Sequence, residues 1–375
     1  MTLAACTTAT VKPPPVVMPP PVKMEVPKPA PTPLFTPAAF ADLPGWQQDD
    51  VAQAWPAFMA SCAVLAKRAE WAEPCQVARS VDQGDSAAVR SFFEAFFVPN
   101  LVRAADGAET GLITGYYEPL LHGARQRGGA FQTPLYRVPD DLLAIELASV
   151  YPELKGMRLR GRLVGKKVVP YNSRAEIEQS NAAGKELLWV DDAVEAFFLE
   201  VQGSGRVELD TGETVRVAYA DQNGYPYKSI GRWLVEKGEL TVAQASAQGI
   251  KAWIVANPTR KQELFNANPS YVFFKEERLP DPSVGPKGAL GVPLTPGRSV
   301  AIDAQLLPLG APVFLSTTEA NSEVPMQRLV MAQDTGGAIR GAVRADFFFG
   351  FGGAAADNAG RMKQRGTLWV LLPKK

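Results

Sequence analysis

Leu329-Val-Met-Ala-Gln-Asp-Thr-Gly-Gly-Ala-Ile-Arg-Gly341 reads as a short strand that runs into a glycine-rich turn and delivers Asp334 at the strand's end. Two more aspartates stand in the same setting. Gly297-Arg-Ser-Val-Ala-Ile-Asp303 ends just before Pro308-Leu-Gly310, and Arg344-Ala-Asp346 leads into Phe347-Phe-Phe349. Val313-Phe-Leu315 and Leu368-Trp-Val-Leu-Leu372 are further β-rich runs bounded by Gly or Pro. Several short strands at this spacing predict a small closed barrel. A strand end in such a barrel presents its side chain to a groove. Gly336, Gly337 and Gly341 let the backbone pass close to a ligand or another chain segment.

Carboxylates brought together do not all ionise cheaply, so at least one pKa rises. A raised carboxyl pKa is what a general acid needs to protonate a glycosidic oxygen. Asp346 has the most apolar neighbours and is the candidate for the protonated member. Asp303 and Asp334 read better as turn formers that bond to backbone N–H groups.

Upstream the pattern changes twice. Residues 46–70 and 86–98 carry apolar side chains at helical spacing, the second run opening after Asp85-Ser86 as a cap. From Gly111 short strands take over: Leu112 to Tyr117, Arg162 to Val169 and Leu187 to Val190, then a hairpin from Val207-Glu-Leu209 to Thr214-Val-Arg-Val217. Three helices are expected at Ile230 to Lys237, Val242 to Ala256 and Arg260 to Ala267.

With 375 residues, 46% of them hydrophobic, the chain can bury one large core or two ordinary ones. Thirty-nine basic residues balance 39 acidic ones, which argues against a nucleic-acid partner. His122 is the one histidine, and Cys6, Cys62 and Cys75 form no CxxC pair, so neither a zinc site nor a Ser-His-Asp triad is expected. Cys62 and Cys75 read either as a disulfide or as two buried thiols.

Leu3-Ala-Ala-Cys6 reads as a bacterial lipobox, with a chance match as the alternative. Eleven of the 32 prolines fall between Pro13 and Pro37. Such a stretch favours extended polyproline II, and ~25 residues at ~3.1 Å each would span ~80 Å. That is either a semi-rigid spacer behind a lipidated cysteine or an ordinary tail.

Taken with other blocks, these segments resemble a known family. Ser299 to Asp303, Asp334-Thr-Gly-Gly-Ala-Ile-Arg-Gly341 and Ala345-Asp346 look like a three-aspartate domain. Thr114-Gly-Tyr-Tyr-Glu-Pro119, Pro170-Tyr-Asn-Ser-Arg174, Val201-Gln-Gly-Ser-Gly205, Gly224-Tyr-Pro-Tyr-Lys-Ser-Ile-Gly-Arg232 and Asn268-Pro-Ser-Tyr-Val-Phe-Phe274 are similar to blocks of the membrane-bound lytic murein transglycosylase A family, in family order. The resemblance implies a mainly β fold with accessory helices. A double-psi β-barrel domain would carry an inserted second β-rich domain, with a glycan groove between them. Its boundaries would be a lipobox-like start and linker at 1–38, a helical part of the barrel domain at 39–115, the insert at 116–274, and the three-aspartate region at 275–375.

The same resemblance implies that Asp346 is the single catalytic residue, with Asp303 and Asp334 as supporting aspartates. It further implies peptidoglycan glycan strands as the substrate, with no metal or cofactor. Asp346 would protonate the oxygen between N-acetylmuramic acid and N-acetylglucosamine, and the C6 hydroxyl would then close a 1,6-anhydro ring. Tyr117, Glu118, Asn172, Arg174, Gln202, Ser204, Gly336 and Gly337 are the candidate substrate-binding residues. Cys6 would anchor a monomer to the periplasmic face of the outer membrane, with a wall-remodelling complex as a further partner. Two rival readings stand beside this one: a glycoside hydrolase pairing Asp346 with Glu118, and a non-catalytic wall-binding lipoprotein.

Overall fold

The computed structural model describes residues 34–154, 157–180, 184–279 and 281–374. Cys6 and most of the proline-rich run lie outside the described residues. The larger sheet closes on itself. The Gly111–Glu118 strand pairs in parallel with Arg344–Phe351, which pairs antiparallel with Ser299–Ile302. Ser299–Ile302 lies parallel to Pro325–Asp334; Pro312–Thr318 and Lys363–Pro373 follow, each antiparallel to the strand before. Lys363 to Gly366 then pair back onto Thr114 to Gly111, which completes a six-stranded ring.

Successive side chains of a strand point to opposite faces, and the ring uses both. Ile113, Val300, Ile302, Ala345 and Phe347 enter the main hydrophobic core. Tyr116, Ala301 and Phe348 belong to a separate small cluster on the other face. Gly115 is needed where helix Gly353–Arg361 crosses: a Cβ there would stand 2.5 Å from Phe349 Cε2 and 3.0 Å from the Ala359 Cα.

The main core also takes in three helices, Trp55–Leu65, Ala69–Val77 and Ser86–Phe96, through Trp55, Phe58, Cys62, Trp71, Phe92 and Phe93. Residues 46–70, read as one helical run, split instead into a 3-10 turn at Val51–Ala54 and parts of two helices. Asp85 caps the third helix by accepting from Ala87 N and Ala88 N, as expected. Cys62 and Cys75 form a disulfide between the first two helices.

A second sheet of six strands, all drawn from Leu120 to Glu277, carries its own core of Leu121, Leu188, Val207, Val217 and Phe274. Helices Ala193–Gln202, Ile230–Glu236, Ala247–Ala256 and Lys261–Asn266 build a further core around Phe197, Leu234, Trp253 and Phe265. The expected strand from Arg162 to Val169 is a hairpin, Arg160–Val164 and Lys167–Pro170, because Gly165 adopts a φ of +60° and turns the chain. The helix expected from Val242 begins at Ala247, where Ser246 accepts from Gly249 N and caps it.

Candidate functional site

Asp346 sits in the middle of the Arg344–Phe351 strand, opposite Ala301 on one neighbour and Thr114 on the other. It shares the outer face of the ring with Tyr116 and Phe348, and is half-buried. Thr114 Oγ1 donates to Asp346 Oδ1 at 2.5 Å, and Arg344 Nη2 donates to the same Thr114 oxygen at 2.9 Å. Asp346 Oδ2 accepts from no group among the described residues. Burial pushes the Asp346 carboxyl above its ordinary range, against the opposing pull of Thr114 and Arg344. Burial also lowers the Arg344 guanidinium, which Asp346 partly restores.

Asp334 ends the Pro325–Asp334 strand beside this group. Its Oδ1 accepts from Ala289 N at 2.8 Å and its Oδ2 from the Tyr116 hydroxyl at 3.0 Å. Burial raises its carboxyl too, opposed by the backbone N–H groups of Thr335 and Ala289 and by Tyr116, with a smaller upward push from Asp346. Tyr116 is buried and held far above its usual value, by burial first and then by the two aspartates. Asp303 is buried in the turn after Ser299–Ile302, where it accepts from Gln305 N at 3.2 Å and Gly341 N at 2.9 Å. It thereby fixes the far end of the Asp334 turn, at a Gly341 whose φ of +104° favours glycine.

The candidate substrate-binding residues fall into separate groups. Tyr117 and Gln202 meet: Gln202 Oε1 accepts from Tyr117 N at 3.0 Å, tying the end of helix Ala193–Gln202 to the strand that carries Thr114. Ser204 is half-buried just beyond it. Gly336 is half-buried, and Gly337 is exposed with nothing within 4 Å of where a Cβ would lie. From the second sheet's side, Arg158 reaches Thr335 Oγ1 at 3.4 Å, beside Asp334.

Glu118 and Arg174 lie buried among charged partners. Glu118 is 1% exposed, with Arg206 Nε 2.9 Å from one oxygen and Arg216 Nε 2.6 Å from the other. Arg174 is 2% exposed and donates to Glu178, Glu200, Asn268 O and Ser270 O, its guanidinium lying between Phe197 and Tyr271. Glu118 is closed in by its two arginines, whereas Arg174 forms part of the lining of a pocket away from Asp346. Asn172 lies near Arg174, and its carbonyl accepts from Asn223 rather than joining the Asp346 group. Two pockets of about 230 and 320 Å³ open beside these residues, and none of the three aspartates lines either.

Thr114, Tyr116 and Arg344 were not singled out as site residues from the sequence, yet a signal existed. Residues two apart in a strand share a face, so Arg344 had to accompany Asp346, and Thr114 had to accompany Tyr116.

A raised, half-buried carboxyl on one face of the ring, near a second β-rich sheet, has the chemistry of a general acid. Residues 112–275 match the MltA specific insert domain, and residues 298–372 match the 3D domain. The membrane-bound lytic murein transglycosylase A of Vibrio cholerae is 33% identical over 269 residues, which are 69% of this chain and 65% of that protein. The chain thus spans just under two thirds of that relative's length. Among solved structures, the lytic transglycosylase LtgG of Burkholderia pseudomallei is 48% identical, covers 92% of this chain and 96% of its own, and has a TM-score of 0.61. Escherichia coli MltA with bound chitohexaose is 27% identical, with coverages of 92% and 96% and a TM-score of 0.68. The chain belongs to the membrane-bound lytic murein transglycosylase A family.

Proposed function

We propose that the protein is a peptidoglycan lytic transglycosylase that cuts the β-1,4 bond between N-acetylmuramic acid and N-acetylglucosamine and leaves a 1,6-anhydromuramic acid end. Asp346 gives its proton to the bridging oxygen, the C6 hydroxyl attacks the oxocarbenium-like centre, and the same carboxylate takes the C6 proton. The observation that carries this reading is the state of the carboxyls. Asp346 keeps an oxygen unengaged among the described residues and a raised pKa, whereas both oxygens of Asp334 and of Glu118 are held by donors. A hydrolase needs a second free carboxylate to direct water, and a Glu118 locked between two guanidiniums is a poor base.

The six-stranded ring, with its two parallel pairs, is read as a double-psi barrel and the sheet from Leu120 to Glu277 as the inserted domain. The glycan would lie across the Asp346 face, between Gly337 and Thr335 on one side and Tyr117, Gln202 and Ser204 on the other. The chitohexaose bound to the E. coli relative supports an amino-sugar polymer as ligand. No helix among the described residues is long and apolar enough to cross a membrane. Lipidation of Cys6, facing the periplasm from the outer membrane, fits the "membrane-bound" name of the relatives.

The test is digestion of purified peptidoglycan by the protein and by Asp346→Asn, with the new sugar ends identified by mass spectrometry. Anhydromuramic ends are expected from the parent, with a loss of at least about a hundredfold in the variant. Reducing ends would make it a hydrolase, and no cleavage by the parent would leave a binding protein.

A further inference from the structure

Thr114 has one hydroxyl proton to give, and its neighbours decide where it goes. Arg344 Nη2 lies 2.9 Å from Thr114 Oγ1, and a guanidinium donates but never accepts. The Thr114 oxygen is therefore an acceptor on that side, and its own proton points along the 2.5 Å contact to Asp346 Oδ1. The chain from Arg344 through Thr114 to Asp346 has one direction. An Oδ1 that accepts this proton does not carry another along the same line, so the proton of the neutral acid sits on Oδ2. That is the oxygen without a partner among the described residues.

We infer that Thr114 and Arg344 are positioning residues that hold Asp346 Oδ1 as a standing acceptor, so that Oδ2 alone performs both proton transfers. The inference rests on the transglycosylase reading above. In the first transfer the Oδ2–H bond breaks and the proton goes to the glycosidic oxygen, which leaves with the electron pair of its bond to C1. In the second the C6 oxygen forms the new bond to C1, and its proton returns to Oδ2. Between the two the carboxylate is ionised, and Thr114 stabilises it by a charge-assisted bond.

The groups that face Asp346 make this pair decisive. Its own strand brings Arg344, one neighbouring strand brings Thr114 and Tyr116, and the other brings the uncharged Ala301. Asp334 stands behind Tyr116, bound to its hydroxyl. Thr114 and Arg344 favour the ionised form, against burial. Without them the same aspartate would hold its proton too tightly and would have either oxygen free to carry it.

The experiment is the pH profile of kcat/KM on soluble glycan strands for the parent, Thr114→Val, Thr114→Ser and Arg344→Gln, with a melting curve for each. Thr114→Val should lose about ten- to a hundredfold in kcat/KM, and its alkaline limb should move up by about one pH unit. Thr114→Ser should keep both near the parent's, since it restores the hydroxyl. Arg344→Gln should move the limb the same way, and it reads the chain independently if Thr114→Val does not fold. A limb that stays at the parent's pH in both Thr114→Val and Arg344→Gln overturns the inference, whether or not the overall rate falls. Absence of anhydro ends from the parent would instead remove the functional reading on which the inference rests.

Discussion

Aspartate and asparagine at position 346 differ by one ionisable proton, and the surroundings make that difference felt in stability as well as rate. Burial raises the Asp346 carboxyl above its ordinary value. A group with a higher pKa folded than unfolded binds more protons in the folded state, so its contribution to stability falls as pH rises through that window. The window opens near the unfolded value of about 3.9 and closes at the higher folded one. Asn keeps an oxygen for Thr114 and never ionises. Asp346→Asn should therefore melt higher than the parent at neutral pH, and the gap should close on acidification towards pH 4. Melting curves across that range check it, and a variant less stable at every pH would contradict the assigned direction. Asp346 was expected at a strand end and lies instead within the Arg344–Phe351 strand; its role was read mostly from the family resemblance. For Glu118 and Arg174 the sequence left a binding and a structural role equally open, because a charged residue in a polar motif looks the same whether it meets a ligand or buried partners. Only the fold brings Arg206 and Arg216, nearly ninety and a hundred residues on, to Glu118.

At the scale of elements, local chemistry was readable where one residue decides it. Asp85 at a helix start and the turn from Leu209 to Thr214 were both visible in the sequence. Gly165 was read as part of a strand because the apolar run continues on both sides of it, although a positive φ was needed to fold that run into a hairpin. Helices Arg174–Ser180 and Gly353–Arg361 escaped notice because they are short, and the second is mostly Ala and Gly. The pairing of Cys62 with Cys75, left open by the sequence, joins two helices that pack on the barrel. Closing a loop of this size contributes about 3 kcal/mol through the unfolded chain. Replacing both cysteines by Ser should lower stability by roughly that amount, read from denaturant midpoints.

For the whole molecule, the Glu118 cluster matters most. Glu118 ends a ring strand, Arg206 and Arg216 come from the second sheet, and Arg206 also lies over the ring of Phe351 at 3.9 Å. Arg216 reaches Val284 O on the returning chain as well. One carboxylate thus connects both sheets and the segment that links them back. Glu118→Ala leaves two buried guanidiniums facing each other without an anion, which should cost about 3–5 kcal/mol. Chemical denaturation measures this; a loss below about 1 kcal/mol, the scale of an exposed pair, would show the cluster is not a joint.

The ring's closure has a consequence in time. Thr114 and Asp346 are 232 residues apart, and the strand that seals the ring, Lys363–Pro373, comes after both. A ribosome reaches the acid's orienting hydroxyl early and the sealing strand late, so a nascent or clipped chain holds Asp346 without the barrel that arms it. The side chains that surround Asp346 are therefore brought together only once the last strand has closed the ring.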